Sequence, residues 1–571
     1  MKKRIKNKSA WRAALGYIGK YKLLLVLSLL LSACSVAATL YIPILVGGAI
    51  DDMLSMGAQG IVGRLAAAAV LAAAGGLVTW LAGIINNRIC YNVVRNARNE
   101  AFEHLQRVPL SYIDSRERGD IISRITSDAE QLGDGLLLGF TQLFTGVLTV
   151  AGTLGFMLAL EPVIAAAVAV LTPISLLIAR FIARRTHSLF IGQSEARAAQ
   201  TAFVEEMLTN RKVVAAFSQQ EPACQRFGEL NEQVEKTSRT AAFFSSLVNP
   251  STRFVNAVVY AAVTLIGALA AIRGQMTVGT LSCLLSYANQ YAKPFNEISS
   301  VLTELQNALA CAERLFELQN APLQSADGPL ELNGPARVSM DNVCFSYVPS
   351  QPLIRDFSLE VPCGSRVAIV GPTGCGKTTL INLLMRFYDP QSGSISMNGI
   401  NATEISRASL RGNIGMVLQD TWLCSGTVRE NIALGRPNAT DEEIEAAARF
   451  SHAHEFIVKL PKGYDTVISD DDSISQGQKQ LLCISRVALA LPPMLILDEA
   501  TSSIDTRTEM KIQDAFARMM QGRTCFIVAH RLSTIRNADI ILVMKDGNIV
   551  EQGTHAELME HRGFYYQLNN A

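Results

Sequence analysis

The sequence predicts a two-part fold, an α-helical half suited to a membrane followed by an α/β half suited to water. Three observations carry this. The chain has 571 residues, more than one core holds at roughly 100–200 residues per domain. Only 18% of them are charged and 49% are hydrophobic, against about 25% charged in an ordinary soluble protein. Finally, long charge-free runs before about residue 310 give way to ordinary soluble composition after about residue 335. This balance excludes disordered, collagenous and small disulfide-stapled classes. A net charge of +1 supplies no global basic field, so no nucleic-acid partner is expected.

Taken in order, residues 1–20 form a basic cytoplasmic elbow carrying Lys2, Lys3, Arg4, Lys6, Lys8, Arg12 and Lys20. They lead into no cleavable signal, because the first apolar run is too long for a signal core. Charge is absent between Lys22 and Asp51, Arg64 and Arg88, Asp134 and Glu161, Glu161 and Arg180, Arg253 and Arg273, and Arg273 and Lys293. A bilayer core needs about 20 apolar residues per helix. Six spans are therefore expected, at about 23–46, 65–87, 136–160, 162–180, 254–272 and 275–293, within a transmembrane domain of 21–310. A buried helix of a soluble protein explains one such run but not six. The basic N-terminus sets the cytoplasmic side, and an even number of spans returns the C-terminal half to it. The long connections, about 88–134 and 180–253, read as helices extending into the cytoplasm.

The spans hold few ionisable residues, which weighs against a highly charged cargo. Phe243, Phe244, Tyr260, Asn289, Gln290 and Tyr291 on the late spans either line a cavity for amphipathic compounds or serve as packing between helices. The eleven cysteines are odd in number and include no C-x-x-C pair, so free thiols in a reducing compartment are expected.

A linker, 311–335, leads to the second half, 336–571. There Arg366–Val370 reads as a short buried strand, followed by Gly371-Pro372-Thr373-Gly374-Cys375-Gly376-Lys377-Thr378 and then Thr379. G-x-x-x-x-G-K-T between strand and helix is a phosphate-binding loop: its glycines let backbone N–H groups curl around phosphate oxygens, and the helix N-terminus adds its positive end. Lys377 reaches the β and γ phosphates, and Thr378 offers its hydroxyl to Mg²⁺. Cys375 is either a thiol activated by these dipoles or a packed small residue. A second buried strand, Met494–Asp498, ends in two acids. Asp498 is placed to hold Mg²⁺, and Glu499 to orient or deprotonate the attacking water. Together the two motifs indicate a hydrolase of nucleotides.

Ile474-Ser475-Gln476-Gly477-Gln478 resembles the L-S-G-G-Q signature of ATP-binding-cassette (ABC) proteins. The resemblance implies further roles. Tyr347 matches the aromatic that stacks on adenine, and Gln419 the glutamine that senses Mg²⁺ and the transport domain. Asp505, in Ser502-Ser503-Ile504-Asp505, resembles the D-loop acid, and His530 the switch histidine at the γ-phosphate. Ser475, Gly477 and Gln478 are implied to face the phosphates of a nucleotide on a second cassette. Six spans ahead of such a cassette resemble the type IV ABC exporter half-transporter, an α-helical six-span transmembrane domain fused to an α/β P-loop ABC nucleotide-binding domain. Val108–Asp114 with Gly119–Arg124, and Arg211–Phe217 with Glu221, resemble its two coupling segments.

The resemblance implies ATP and Mg²⁺ as cofactors, a second half-transporter as partner, the bacterial plasma membrane as location, and outward movement of amphipathic small molecules, lipids or peptides by alternating access. The alternative is a cassette that gates or regulates a membrane partner. One departure bears on the partner: Gln476 stands where the consensus has glycine, just after Asp470-Asp471-Asp472. In heterodimeric bacterial exporters the subunit with the catalytic glutamate tends to carry the altered signature, so a heterodimer is favoured over a homodimer.

Overall fold

The structure is a computed structural model that describes residues 16–17, 19–55, 58–418, 421–468, 474–498, 504–528 and 535–570. It divides into two compact units, 1–106 with 117–321, and 107–116 with 322–571.

The first unit is helical throughout. Its main elements are α1 (Lys22–Leu54), α2 (Ala58–Leu105), α3 (Arg118–Ile125), α4 (Ser127–Leu138), α5 (Phe144–Leu160), α6 (Pro162–Thr209), α7 (Gln220–Ser246), α8 (Val248–Ile272) and α9 (Val278–Gln319), with a π-helical turn at Gly139–Leu143 between α4 and α5 and a short helix at Arg211–Ala216 between α6 and α7. Among the described residues, the stretches Lys22–Leu54, Gly60–Leu105, Arg118–Leu160 and Gln220–Ile272 are long and apolar enough to cross a membrane, and Pro162–Leu171 is a shorter apolar run. Every charge-free window falls on helix, except that residues 274–277 precede α9.

Helices in lipid approach closely where small residues meet. A Cβ on Gly47 of α1 would lie 2.5 Å from the Gly279 carbonyl oxygen, and one on Gly279 would lie 2.0 Å from that of Gly47. Asp51 fixes this crossing, accepting from the Thr277 hydroxyl at 2.7 Å and from the Gly279 N–H at 2.7 Å. Pro43 interrupts the hydrogen-bond ladder of α1 because it has no N–H. Beside it, α9 supplies Tyr287, whose hydroxyl donates to Leu40 O at 2.6 Å, and Cys283, whose thiol donates to Pro43 O at 2.8 Å. At the other end α9 continues to Gln319, into the stretch expected to be linker. Ala308, Ala312, Leu315 and Phe316 recur there at helical spacing and are buried, which keeps the chain helical.

The second unit has two sheets. One has the order β12-β11-β3-β10-β9-β6 and the other β2-β1-β4-β5. The strands are β1 (Val338–Phe345), β2 (Ile354–Val361), β3 (Arg366–Val370), β4 (Ser392–Met397), β5 (Ile400–Asn401), β6 (Ile414–Val417), β9 (Met494–Asp498), β10 (Thr524–Val528), β11 (Ile540–Lys545) and β12 (Asn548–Gly553), with a small pair β7 (Gly426–Thr427) and β8 (Val467–Ile468) apart. In the larger sheet only β12 is antiparallel. Strands β9 and β10 are buried at every position, as expected for parallel strands covered on both faces. One side carries a core with Leu495, Leu497 and Phe516, the other a core with Phe357, Leu380 and Phe526. Its helices include α10 (Lys377–Leu384), α11 (Arg407–Gly412), α12 (Val428–Ala433), α13 (Asp441–Phe450), α14 (Gln476–Ala490) and α15 (Thr506–Met520).

Residues 107–116 pack within this second unit. Gln324 donates its N–H to Arg107 O and its side-chain amide to Val108 O, both at 2.9 Å. Tyr112 is buried beneath the Arg116 guanidinium, 3.7 Å from its ring centre, and the Tyr388 hydroxyl donates to the Asp114 carboxylate. All eleven cysteines are free.

A phosphate-binding loop and its neighbours

Strand β3 lies between β11 and β10, and its C-terminal end runs directly into the glycine loop and α10. Gly374 and Gly376 have φ of +85° and +104°, a backbone region that favours glycine. At Gly371 a side chain is excluded by space, since a Cβ would lie 2.3 Å from Met544 O on β11. The Lys377 ammonium folds over the loop, donating to Gly371 O at 2.7 Å and Pro372 O at 3.0 Å. The N-cap of α10 is Gly376, with no side-chain cap, so the first amides of the helix have no intrahelical acceptor. Uncapped amides beside a pinned ammonium fit an anionic phosphate chain. Thr378 is exposed beside Lys377, whereas Thr379 is buried.

Cys375 resolves to the second of its two readings. It is 4% exposed and packs in the apolar cluster with Ile369 and Leu380, so it is a packed small side chain rather than an open nucleophile.

Asp498 closes β9 and is 8% exposed. The parallel register puts Asp498 opposite Val528, and Val528 opposite Ile369. Asp498 therefore sits two strands from Ile369, two residues before the glycine loop, roughly 10 Å away at about 4.8 Å per strand. Ligands of open α/β sheets bind at this edge, outside the carboxyl ends of the strands. Gln419, Glu499 and His530 lie outside the described residues.

Tyr347 follows β1. Its ring meets those of Phe345 and Tyr388 edge-on, both at 5.0 Å, and its hydroxyl accepts from the Asn382 amide of α10 at 2.9 Å. It remains 45% exposed, and the same Asn382 bond ties it to the phosphate-loop helix.

The signature residues are built into helix ends. The Ser475 hydroxyl accepts from Gln478 N–H at 3.4 Å, and the Gln478 side-chain oxygen accepts from Ser475 N–H at 3.0 Å, closing a capping box on α14. Ser-x-x-Gln ahead of an apolar run is a capping signal in the sequence itself, so the residues that resemble the signature also start the helix. Gly477 is buried, and a Cβ there would lie 2.6 Å from Thr508 Cγ2 and 2.9 Å from Ile504 Cγ2. Asp505 caps α15 by accepting from Thr508 N–H at 3.0 Å, and that bond holds its carboxyl below the usual carboxylate range.

In the helical unit a cavity of ≈ 360 Å³ is lined by Asn256, Tyr260 and Asn289 among small residues of α8 and α9. Gln290 and Asn256 each bury a side-chain oxygen that has no hydrogen-bond partner among the described residues. Tyr291 is in the bundle core, and Phe243 and Phe244 stack edge-on at 5.7 Å on α7.

Apolar helices continuous with a parallel-sheet domain bearing this loop define a membrane-bound nucleotide-binding protein. Residues 25–295 match the ABC transporter transmembrane region, and residues 354–502 the ABC transporter family. A fatty acid ABC transporter ATP-binding/permease protein of Mycobacterium tuberculosis is 44% identical, over 89% of this chain and 81% of its own. The ABC transporter ATP-binding protein YfiC of Bacillus subtilis is 36% identical over 99% and 95%. Among solved structures, a bacterial Atm1-family ABC exporter with ATP bound superposes with a TM-score of 0.79 at 28% identity, covering 96% of this chain and 98% of that one. The chain belongs to the ABC exporters, as a half-transporter that fuses membrane and ATP-binding domains. It is a multi-pass membrane ATPase that drives export.

Proposed function

We propose that this chain is the hydrolytically competent half of a two-half exporter of amphipathic lipids, with six spans carried by α1, α2, the α4–α5 rod, α6, α8 and α9. The observation that carries the division of labour is Gln476, a side chain where the family pattern has glycine. With Glu499 retained, the strong ATP site is the one built on this chain's own phosphate loop, completed by the partner's signature. The weak site is the one that this chain's altered signature faces. Lys377 and the uncapped α10 amides hold the phosphates, Tyr347 offers its ring to the base, and Glu499 takes the proton of the attacking water, with Gln419 and His530 completing the shell. Thr378, Gln419 and Asp498 would hold Mg²⁺, which would neutralise charge on the phosphates. The basic N-terminal segment puts both termini in the cytoplasm of a bacterial cell.

Support for a lipid cargo comes from the fatty acid transporter relative and from the cavity of Asn256, Tyr260 and Asn289, where amides in an otherwise apolar bundle suit a polar headgroup. Purification decides the matter. The chain alone should show little ATPase activity, whereas co-expression with a second half-transporter should give activity that rises with added long-chain fatty acid. Robust fatty-acid-stimulated turnover by the chain alone would establish a homodimer instead.

A further inference from the structure

Gln476 does something that a glycine cannot. Its side-chain amide donates to the Thr421 hydroxyl at 3.0 Å, two residues beyond Gln419. The neighbouring segment is already fastened to α14. Arg486 donates to Trp422 O at 2.6 Å and lies 5.8 Å from the centre of its indole ring. Arg486 also reaches Asn431 O and Oδ1, both at 2.6 Å. Fully buried Asn431 in turn brackets Cys424, accepting its N–H at 3.0 Å and donating to its carbonyl at 2.9 Å. These bonds hold Trp422 against the C-terminal half of α14 and Cys424 against α12. The Gln476 bond extends the attachment to Thr421 and to the first turn of the helix, next to the Ser475 cap.

We infer that Gln476 is a positioning residue that joins the signature end of α14 to the chain leading out of Gln419. This rests on the reading above, in which Ser475–Gln478 face the partner's nucleotide and Gln419 serves this chain's own site. The side chain gives up close backbone approach to a phosphate and gains a hydrogen bond to the chain that leaves Gln419. Nucleotide seated against the signature is then tied through Thr421 to the segment that follows Gln419 in the sequence, and so to turnover at the strong site.

A double-mutant cycle in the full-length co-purified complex tests the link. Thr421→Val removes the acceptor and keeps the shape, Thr421→Ser keeps the acceptor, and Gln476→Gly removes the donor. The chain has three tryptophans, so Trp11→Phe and Trp80→Phe leave Trp422 as an internal probe of the segment in this chain. Thr421→Val should increase acrylamide quenching of Trp422 and lower kcat about fivefold with KM for ATP changed less than about twofold. Thr421→Ser should restore both. In the Gln476→Gly background, Thr421→Val should change neither. Equal effects of Thr421→Val in both backgrounds, or no effect in either, would overturn the link. A complex that hydrolyses no ATP in any variant would overturn the hydrolytic reading, and the Trp422 cycle alone would then decide the link.

Discussion

Lys377 gives two of its three N–H bonds to carbonyls of its own loop, so its charge is fixed before any phosphate arrives. Lys377→Ala should weaken ATP binding roughly 10–100-fold, the scale of a charge-assisted hydrogen bond of about 1.5–3 kcal/mol. Glu499→Gln should retain nucleotide and slow phosphate release by roughly 10²–10⁴-fold, since an amide keeps the shape and loses the base. Nucleotide-retention and phosphate-release assays separate the two, and equal loss of retention would contradict the assignment. Cys375 should stay unmodified when the folded protein is treated with a maleimide, which peptide mass spectrometry reads directly. The loop was legible in the sequence because its chemistry is contiguous: strand, glycines, lysine, helix. The state of Cys375 was not, because its burial depends on an apolar cluster assembled from distant parts of the chain, Phe526 and Met544 among them.

The approach of α14 to α15 depends on a missing methyl. Gly477→Ala would press a Cβ against Thr508 and Ile504, and overpacking of this kind costs about 1–3 kcal/mol. A fall of several degrees in the melting temperature is expected, recovered by the second substitution Thr508→Ser, which removes the nearest clashing atom. If Gly477→Ala leaves the melting temperature unchanged, Gly477 is not kept for this packing. At this scale the six apolar windows were readable from charge spacing, and both glycine-loop and signature helices from their motifs. The π-helical turn at Gly139–Leu143 and the extension of α9 to Gln319 were not. The first inserts into an unbroken helical pattern, and the second depends on burial of a short apolar stripe that ordinary linker composition conceals.

Across the whole molecule the two units are not consecutive pieces of chain, because residues 107–116 belong with 322–571. The resemblance of Val108–Asp114 to a coupling segment was legible, but its partners were not. Gln324 and Tyr388, which bond to it, carry no local mark of that role. The interleaving has a consequence in time. A ribosome makes residues 107–116 well before the cassette that receives them, and at ~5–20 residues per second the interval to the last residue is roughly 20–90 s. Throughout it, Tyr112 lacks its burial and Asp114 its tyrosine. Nascent chains stalled near residue 330 should therefore be cut by trypsin at Arg107 and Arg116, and released full-length chains should resist. Equal protection in both would mean that this short segment finds shelter elsewhere during synthesis. The period of greatest exposure to proteases and misassociation then falls after the spans have been made and before translation ends.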